Sequence, residues 1–208
     1  MRSNEVIIVD YGVGNISSVS SALLAVGAVP TVTSDSERIM DARRLILPGV
    51  GAFKAARQRL EERGLVETLS TVRERSCAVL GICLGMQLLF DRSHEFGLTE
   101  GLSIIPGDVT AIPDTDNAGK SLRVPSIGWH PLVRPSHSDS EQYDRLTHGI
   151  EESASFYFVH SYHGVADAKQ NTLAEYGFGG HSLTAAVGID GVLGCQFHPE
   201  KSGPNGLR

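Results

Sequence analysis

Val6-Ile7-Ile8-Val9 is an unbroken β-branched run closed by Asp10 and Gly12. A run that short and that apolar predicts a strand buried on both faces. From Asn15 the period lengthens, with apolar residues at Ile16, Val19, Leu23 and Val26. That spacing predicts a helix, with Asn15 as N-cap and Gly27 as its stop. The alternation then repeats. Val29–Thr33 and Leu45–Leu47 predict strands, the second stopped by Pro48-Gly49, and a charged helical stretch runs from Phe53 to Arg75. Ala78–Ile82 predicts another buried strand and Leu84–Phe90 a helix. Strand alternating with helix implies a parallel sheet covered on both faces.

After residue 100 the pattern changes to short apolar pieces among turn residues. Asp108–Ile112, Ser121–Pro125, Phe156–Tyr162 and Thr172–Tyr176 predict strands, and Arg134–Thr147 a polar surface loop. Leu183–Ile189 and Val192–Phe197 flank Asp190-Gly191, a hairpin signal. Antiparallel strands therefore join a mostly parallel sheet, an α/β fold.

The length of 208 residues suits one domain, residues 1–208, with a sizeable core. Apolar residues at 41% and charged residues at 20% are the proportions of a folded soluble protein. A net charge of −6 argues against general nucleic-acid binding. The apolar run before Asp10 is only four residues long, too short for a signal peptide, and no stretch approaches the roughly 20 needed to span a membrane. A cytoplasmic protein is expected. Residues 38–75 hold nine of the eighteen basic residues, Lys54, Arg57, Arg59 and Arg63 among them. A solvated helix face explains them, with a partner- or phosphate-facing surface as the alternative.

Cys77, Cys83 and Cys195 form neither a disulfide framework nor a CxxC pair, so free thiols are expected. One of them stands in chemical company. Gly81-Ile82-Cys83-Leu84-Gly85 follows a strand and opens a helix, the Gly-x-nucleophile-x-Gly elbow with Cys as nucleophile. The sharp turn strains the nucleophile's backbone and leaves no room for flanking side chains. The helix N-terminus supplies unpaired N–H groups and positive partial charge, which favour a thiolate. The Leu84 N–H is placed to stabilise an oxyanion. A small buried Cys in a glycine-rich junction would carry the same letters.

A thiol nucleophile needs a base and a group to orient it. His198-Pro199-Glu200 offers both, because residues two apart in extended chain point the same way and Pro199 stiffens the link. A turn with an exposed salt link is the plain alternative. Pro48-Gly49-Val50-Gly51 also ends a strand, and its glycines let backbone N–H groups turn towards an anion. C-terminal strand ends share one edge of a parallel sheet, so Gly49–Gly51 and Cys83 can face one crevice. Gly12-Val13-Gly14-Asn15-Ile16-Ser17, with Asp35 beyond, approximates a dinucleotide fingerprint. That reading leaves Cys83, His198 and Glu200 unexplained. His160 and His163 lie three apart in a strand-like segment and face opposite sides, so a structural or substrate-edge role is favoured over a metal pair. Cys77 and Cys195 read as core residues.

Together these blocks resemble the class I (triad) glutamine amidotransferases, and within them the glutaminase subunits of imidazole glycerol phosphate synthase, over nearly the whole chain. The resemblance rests on Ile8–Asn15, Leu47–Phe53, Gly81–Phe90, Phe156–Tyr162 and Gln196–Gly203. Two features depart from that family. Pro125-Ser126-Ile127-Gly128-Trp129-His130 stands where Pro-His-x-Gly-Trp-Asn is usual, and the closing helix usual after Gly206-Leu207-Arg208 is not found. The resemblance implies a flavodoxin-like fold: a mostly parallel sheet flanked by helices with added antiparallel strands. It implies Cys83, His198 and Glu200 as the triad, and Leu84 with Gly49, Val50 and Gly51 as the oxyanion site. Gln87, Ser161 and Tyr162 match positions that contact glutamine, and Asn15 and Trp129 match positions near a partner interface. The substrate would be L-glutamine and the partner a (β/α)8-barrel cyclase subunit that receives ammonia. No metal, organic cofactor, nucleic acid or membrane is implied. The alternatives are a related amidotransferase serving another acceptor such as a surface sugar, a γ-glutamyl hydrolase of the same fold, and the dinucleotide-binding protein.

Overall fold

A computed structural model describes residues 4–75, 77–138 and 140–208, with nothing stated of the Ser140 side chain. The first strand, β1 (Glu5–Val9), leads into helix α1 (Ile16–Ala25). Asn15 takes the N-cap position of α1, although its side chain makes no capping bond. Gly27, at φ +80°, supplies the left-handed residue that ends the helix. Strand β2 (Val29–Thr33) follows, then helix α2 (Ser36–Met40), capped by Asp35, whose carboxylate accepts from the Glu37 and Arg38 N–H groups. Asp35, the acidic residue of the dinucleotide pattern, is thus spent on a helix start. Strand β3 (Arg44–Leu47) comes next.

The helical stretch expected over Phe53–Arg75 is three pieces: α3 (Phe53–Glu62), α4 (Leu65–Ser70) and a short 3₁₀ turn at Val72–Glu74. Gly64 adopts φ +65° between the first two and breaks the run. Strand β4 (Ala78–Ile82) runs into α5 (Leu84–Leu88), which is shorter than expected. Phe90 leaves the helix to open β5 (Phe90–Ser93), where it pairs with Ile105 of a second sheet. Leu88, Leu89 and Phe90 are all fully buried, and such a run fits a helix or a strand equally well.

That second sheet contains β5, β6 (Thr99–Glu100) and β7 (Ile105–Ala111). The strand expected at Ser121–Pro125 makes only an isolated bridge from Ser121 to Thr115. Pairing begins one residue beyond Pro125, which has no N–H to give a ladder, as β8 (Ser126–Pro131). Part of the expected polar loop is helix α6 (Ser140–Leu146), whose Tyr143 and Leu146 pack on the core. Strand β9 (Ser155–His160) pairs with β8 as an antiparallel ribbon, and after Ser161 the chain crosses to the second sheet as β10 (Tyr162–Ala166). The last elements are β11 (Thr172–Phe178), β12 (His181–Ile189), β13 (Val192–Cys195) and α7 (Gly203–Leu207). Asp190 and Gly191 both adopt positive φ, +46° and +82°, as a two-residue hairpin turn requires.

The central seven-stranded sheet has the order β11-β12-β13-β4-β3-β1-β2. β2, β1, β3, β4 and β13 run parallel, while β12 is antiparallel to both its neighbours. Alternate residues of β1 feed opposite faces: Ile7 and Val9 join one apolar cluster, Val6 and Ile8 the other. Four adjacent parallel strands, β1, β3, β4 and β13, therefore deliver the segments after their C-terminal ends to one edge. Those segments hold Tyr11, Gly49–Gly51, Cys83 and Gln196–His198.

Candidate active site

Cys83 sits at that edge at φ +53° and ψ −110°, a conformation a non-glycine residue rarely adopts. Its N–H donates to the Cys195 carbonyl at 2.7 Å, which ties the elbow to β13. The flanking glycines are sterically required. A Cβ on Gly85 would lie 1.8 Å from the Leu47 carbonyl oxygen, and one on Gly81 would lie 2.8 Å from the backbone of Gly85 and Met86. The turn is thus packed between β3 and its own helix, and the sulfur is presented above the strand end.

The Pro48–Gly51 loop touches this elbow. A Cβ on Gly49 would meet the Gly85 nitrogen at 2.7 Å and the Leu84 Cβ at 2.9 Å. Both ends of the loop are held. The buried Tyr11 hydroxyl donates to the Pro48 carbonyl at 2.7 Å, and the Phe53 N–H donates to Glu95 Oε2 at 2.5 Å. Burial, reinforced by Cys83, pushes the Tyr11 hydroxyl well above its ordinary range, so it stays a donor. Between these anchors Gly51 adopts φ +96° with open space around it, and Val50 is exposed.

His198 is 2% exposed, with Nδ1 2.9 Å from Glu200 Oε1. Burial alone would lower its pKa. Hydrogen bonding to Cys83 and to Glu200, together with their charges, outweighs burial and pushes it up to about 9. Glu200 moves the other way: burial would raise it, but the His198 hydrogen bond and charge hold it below the usual carboxylate range. The imidazole is thus a cation at neutral pH, set between the Cys83 sulfur and the Glu200 carboxylate. Such an arrangement can deliver a sulfur nucleophile, a proton donor to a leaving group and, after proton transfer, a base for water.

The structure brings the other expected residues to this edge unevenly. Gln87 is buried and donates from Nε2 to the Tyr162 carbonyl at 2.8 Å and to Gln196 Oε1 at 3.0 Å. Ser161 forms the bend between β9 and β10, its carbonyl accepting from the Ile112 N–H at 2.9 Å. The Tyr162 ring meets that of Phe96 edge-on. Asn15 is half-buried beyond β1, and Trp129 is 55% exposed on the ribbon. His160 and His163 diverge: His160 bonds the Tyr176 hydroxyl, and His163 Nδ1 accepts from the Thr184 N–H. Among the described residues no group of three or more His, Cys, Asp or Glu is placed to hold a metal ion. Cys77 and Cys195 are buried free thiols, both pushed up by burial.

Three site residues escaped the sequence reading: Tyr11, Glu95 and Gln196. For Gln196 a signal exists. It is a lone polar residue closing an apolar strand, two before His198 and four before Glu200, the spacing that puts side chains on one side of extended chain. No local pattern marks Tyr11 or Glu95, whose partners lie 37 and 42 residues away.

A cysteine on a glycine-flanked elbow, with a carboxylate-held imidazole beside it, accords with a known family. The class-I glutamine amidotransferase family model matches residues 7–206, and the chain belongs to that family. Among its relatives, imidazole glycerol phosphate synthase subunit HisH of Sulfurimonas denitrificans is 41% identical over 201 residues, covering 97% of this chain and 93% of that protein. The HisH subunit of Geobacillus thermodenitrificans is 44% identical, covering 96% and 90%. In fold, the chain resembles a crystal structure of a glutamine amidotransferase, with TM-score 0.68, 21% identity and coverage of 97% and 94%. It also resembles PurLQS from Thermotoga maritima, with TM-score 0.67, 19% identity and coverage of 98% and 93%. Among the described residues no helix is long and apolar enough to cross a membrane.

Proposed function

We propose that this chain is the glutaminase subunit of an imidazole glycerol phosphate synthase. It hydrolyses L-glutamine and passes ammonia to a (β/α)8-barrel cyclase subunit. The observation that carries this reading is the His198 imidazole, paired with Glu200 at 2.9 Å and set beside the Cys83 elbow, whose N–H is tied to the Cys195 carbonyl three residues before His198. The names of relatives at 41% and 44% identity supply the acceptor reaction, and the word subunit in those names supports a second chain.

In this mechanism the Cys83 thiolate attacks the side-chain carboxamide carbon of glutamine. The carbonyl electrons move to oxygen, where the Leu84 N–H and an N–H of the Gly49–Gly51 loop stabilise them. As the tetrahedral intermediate collapses, the C–N bond breaks. The His198 imidazolium gives its proton to the departing nitrogen, leaving ammonia, a thioester and a neutral imidazole. The same imidazole then takes a proton from water. The hydroxide adds to the thioester, the C–S bond breaks, and glutamate leaves with the thiolate and imidazolium restored. Glu200 keeps the ring oriented and favours its charged form. Gln87, Ser161 and Tyr162 border the substrate, and Asn15 and Trp129 face the barrel. With Tyr11 and Glu95 holding its ends, the Gly49–Gly51 loop is the segment whose peptides turn to complete the oxyanion site. Free thiols and a thiolate nucleophile suit a reducing cytoplasm.

The test is ammonia release from glutamine, measured with the chain alone and with the barrel subunit and its nucleotide ligand. Stimulation by that pair is expected. High activity of the isolated chain on γ-glutamyl peptides would contradict the reading in favour of a hydrolase. Stimulation only by a different acceptor enzyme would place the chain with a related amidotransferase.

A further inference from the structure

We propose that Gln196 is a hydrogen-bond donor to the Cys83 sulfur and supports its reactivity; this rests on the reading of Cys83 as the nucleophile. Gln196 is completely buried, and its Nε2 lies 3.6 Å from Cys83 Sγ. A carboxamide can present either end to a neighbour, so its orientation must follow from its other contacts.

Those contacts leave one answer. The Tyr162 carbonyl oxygen can only accept, so the Gln87 atom 2.8 Å from it is Nε2. That nitrogen carries a second hydrogen and lies 3.0 Å from the Gln196 carboxamide, so the facing atom is Oε1. The other end of Gln196, its NH₂ group, then faces the sulfur. The Tyr162 carbonyl is held in turn by His160, whose Nδ1–H donates to it at 2.9 Å while Nε2 accepts from the Tyr176 hydroxyl at 2.8 Å. His160 stays neutral, as this arrangement requires, because burial pushes its pKa down to about 3. A buried chain of donors thus runs from Tyr176 to Gln196 and ends with an N–H aimed at Cys83.

Cys195, the residue before Gln196, provides the contrast. Its Sγ is oriented to donate to the Gly81 carbonyl at 3.7 Å, which keeps it a thiol. Cys83 instead faces donors, the Gln196 amide and the His198 imidazolium. Hydrogen bonds to a charged acceptor are stronger than neutral ones, so the amide favours the thiolate.

The experiment is iodoacetamide labelling of the whole chain, followed cysteine by cysteine by mass spectrometry from about pH 5 to about pH 10. Gln196→Met keeps the volume and removes the donor. It is expected to slow Cys83 labelling at neutral pH about tenfold and to move its pH midpoint upward, with Cys77 and Cys195 unchanged. A folded Gln196→Met protein that labels at the wild-type rate with the wild-type pH profile overturns the inference. If that variant does not fold, Gln87→Met serves instead. It frees the Gln196 amide to rotate and is expected to slow labelling about threefold, and an unchanged rate overturns the inference equally. Ammonia release by the wild-type protein separates the two readings. Slowed labelling in a protein with no glutaminase activity sinks the proposed function and keeps the Gln196 contact. Active wild type with unaltered Gln196→Met labelling does the reverse.

Discussion

Two buried histidines near the sheet edge have opposite fates. His198 is 2% exposed and His160 6%, so both have lost most of their water. Burial pushes each towards the neutral form, and at His160 it wins: the partners are a tyrosine hydroxyl and a backbone carbonyl, and the ring falls to about 3. At His198 the Cys83 sulfur and the Glu200 carboxylate oppose the same desolvation and the ring rises to about 9. The difference teaches that depth does not set the role of a buried imidazole. The charge of its partners does, and here it separates a charged ring from a neutral one.

The strongest way to break this contrast is to remove the charged ring. His198→Asn is expected to lower glutamine-dependent ammonia release about 10³-fold or more in a steady-state assay, while the fold is kept. Removing only the partner sharpens the contrast. Glu200→Gln is expected to cost about 10²-fold in kcat and to move the His198 titration midpoint, read by NMR, from about 9 towards its ordinary range.

A smaller effect tests the neutral ring. The unfolded chain takes up protons below about pH 6.5, where folded His160 and His163, held near 3 and 4, do not. The contribution of these two rings to stability is therefore full above that pH and declines as pH falls from about 6.5 towards 4. His160→Asn is expected to shallow the fall of the thermal midpoint over this window, and an unchanged slope would show that His160 does not set it. Smallest of all, Tyr176→Phe removes the donor to His160 Nε2 but leaves the charged triad alone, so its glutaminase rate should stay within about threefold of wild type.

The difference between the two histidines was only half legible in the sequence. His198 and Glu200 do pair, but across a 3₁₀ turn at Pro199–Lys201 and not along extended chain as the spacing predicts. The elbow glycines announce the strained turn at Cys83, where φ is +53°. His160 has its decisive partner, Tyr176, on another strand, and nothing local predicts that contact. The same limit applies to the fold. The β-branched runs of β1 to β4 and the Asp190-Gly191 hairpin were readable because each is set by neighbouring residues. The end of α5 was not, because Leu88-Leu89-Phe90 suits either element and pairing with β7 decides. The break at Gly64 had a sequence signal, outweighed in the reading by the helical period on either side. Gln196 was visible as a letter, but its meaning depends on Gln87 and Tyr162, 109 and 34 positions away.

The central claim is that Cys83 makes ammonia for a second active site. It is tested most directly by Cys83→Ala assembled with the barrel cyclase subunit and its nucleotide ligand, supplied in turn with glutamine and with ammonium salt. No product from glutamine and wild-type product formation from ammonium are expected. Product from glutamine at a rate near wild type would contradict it.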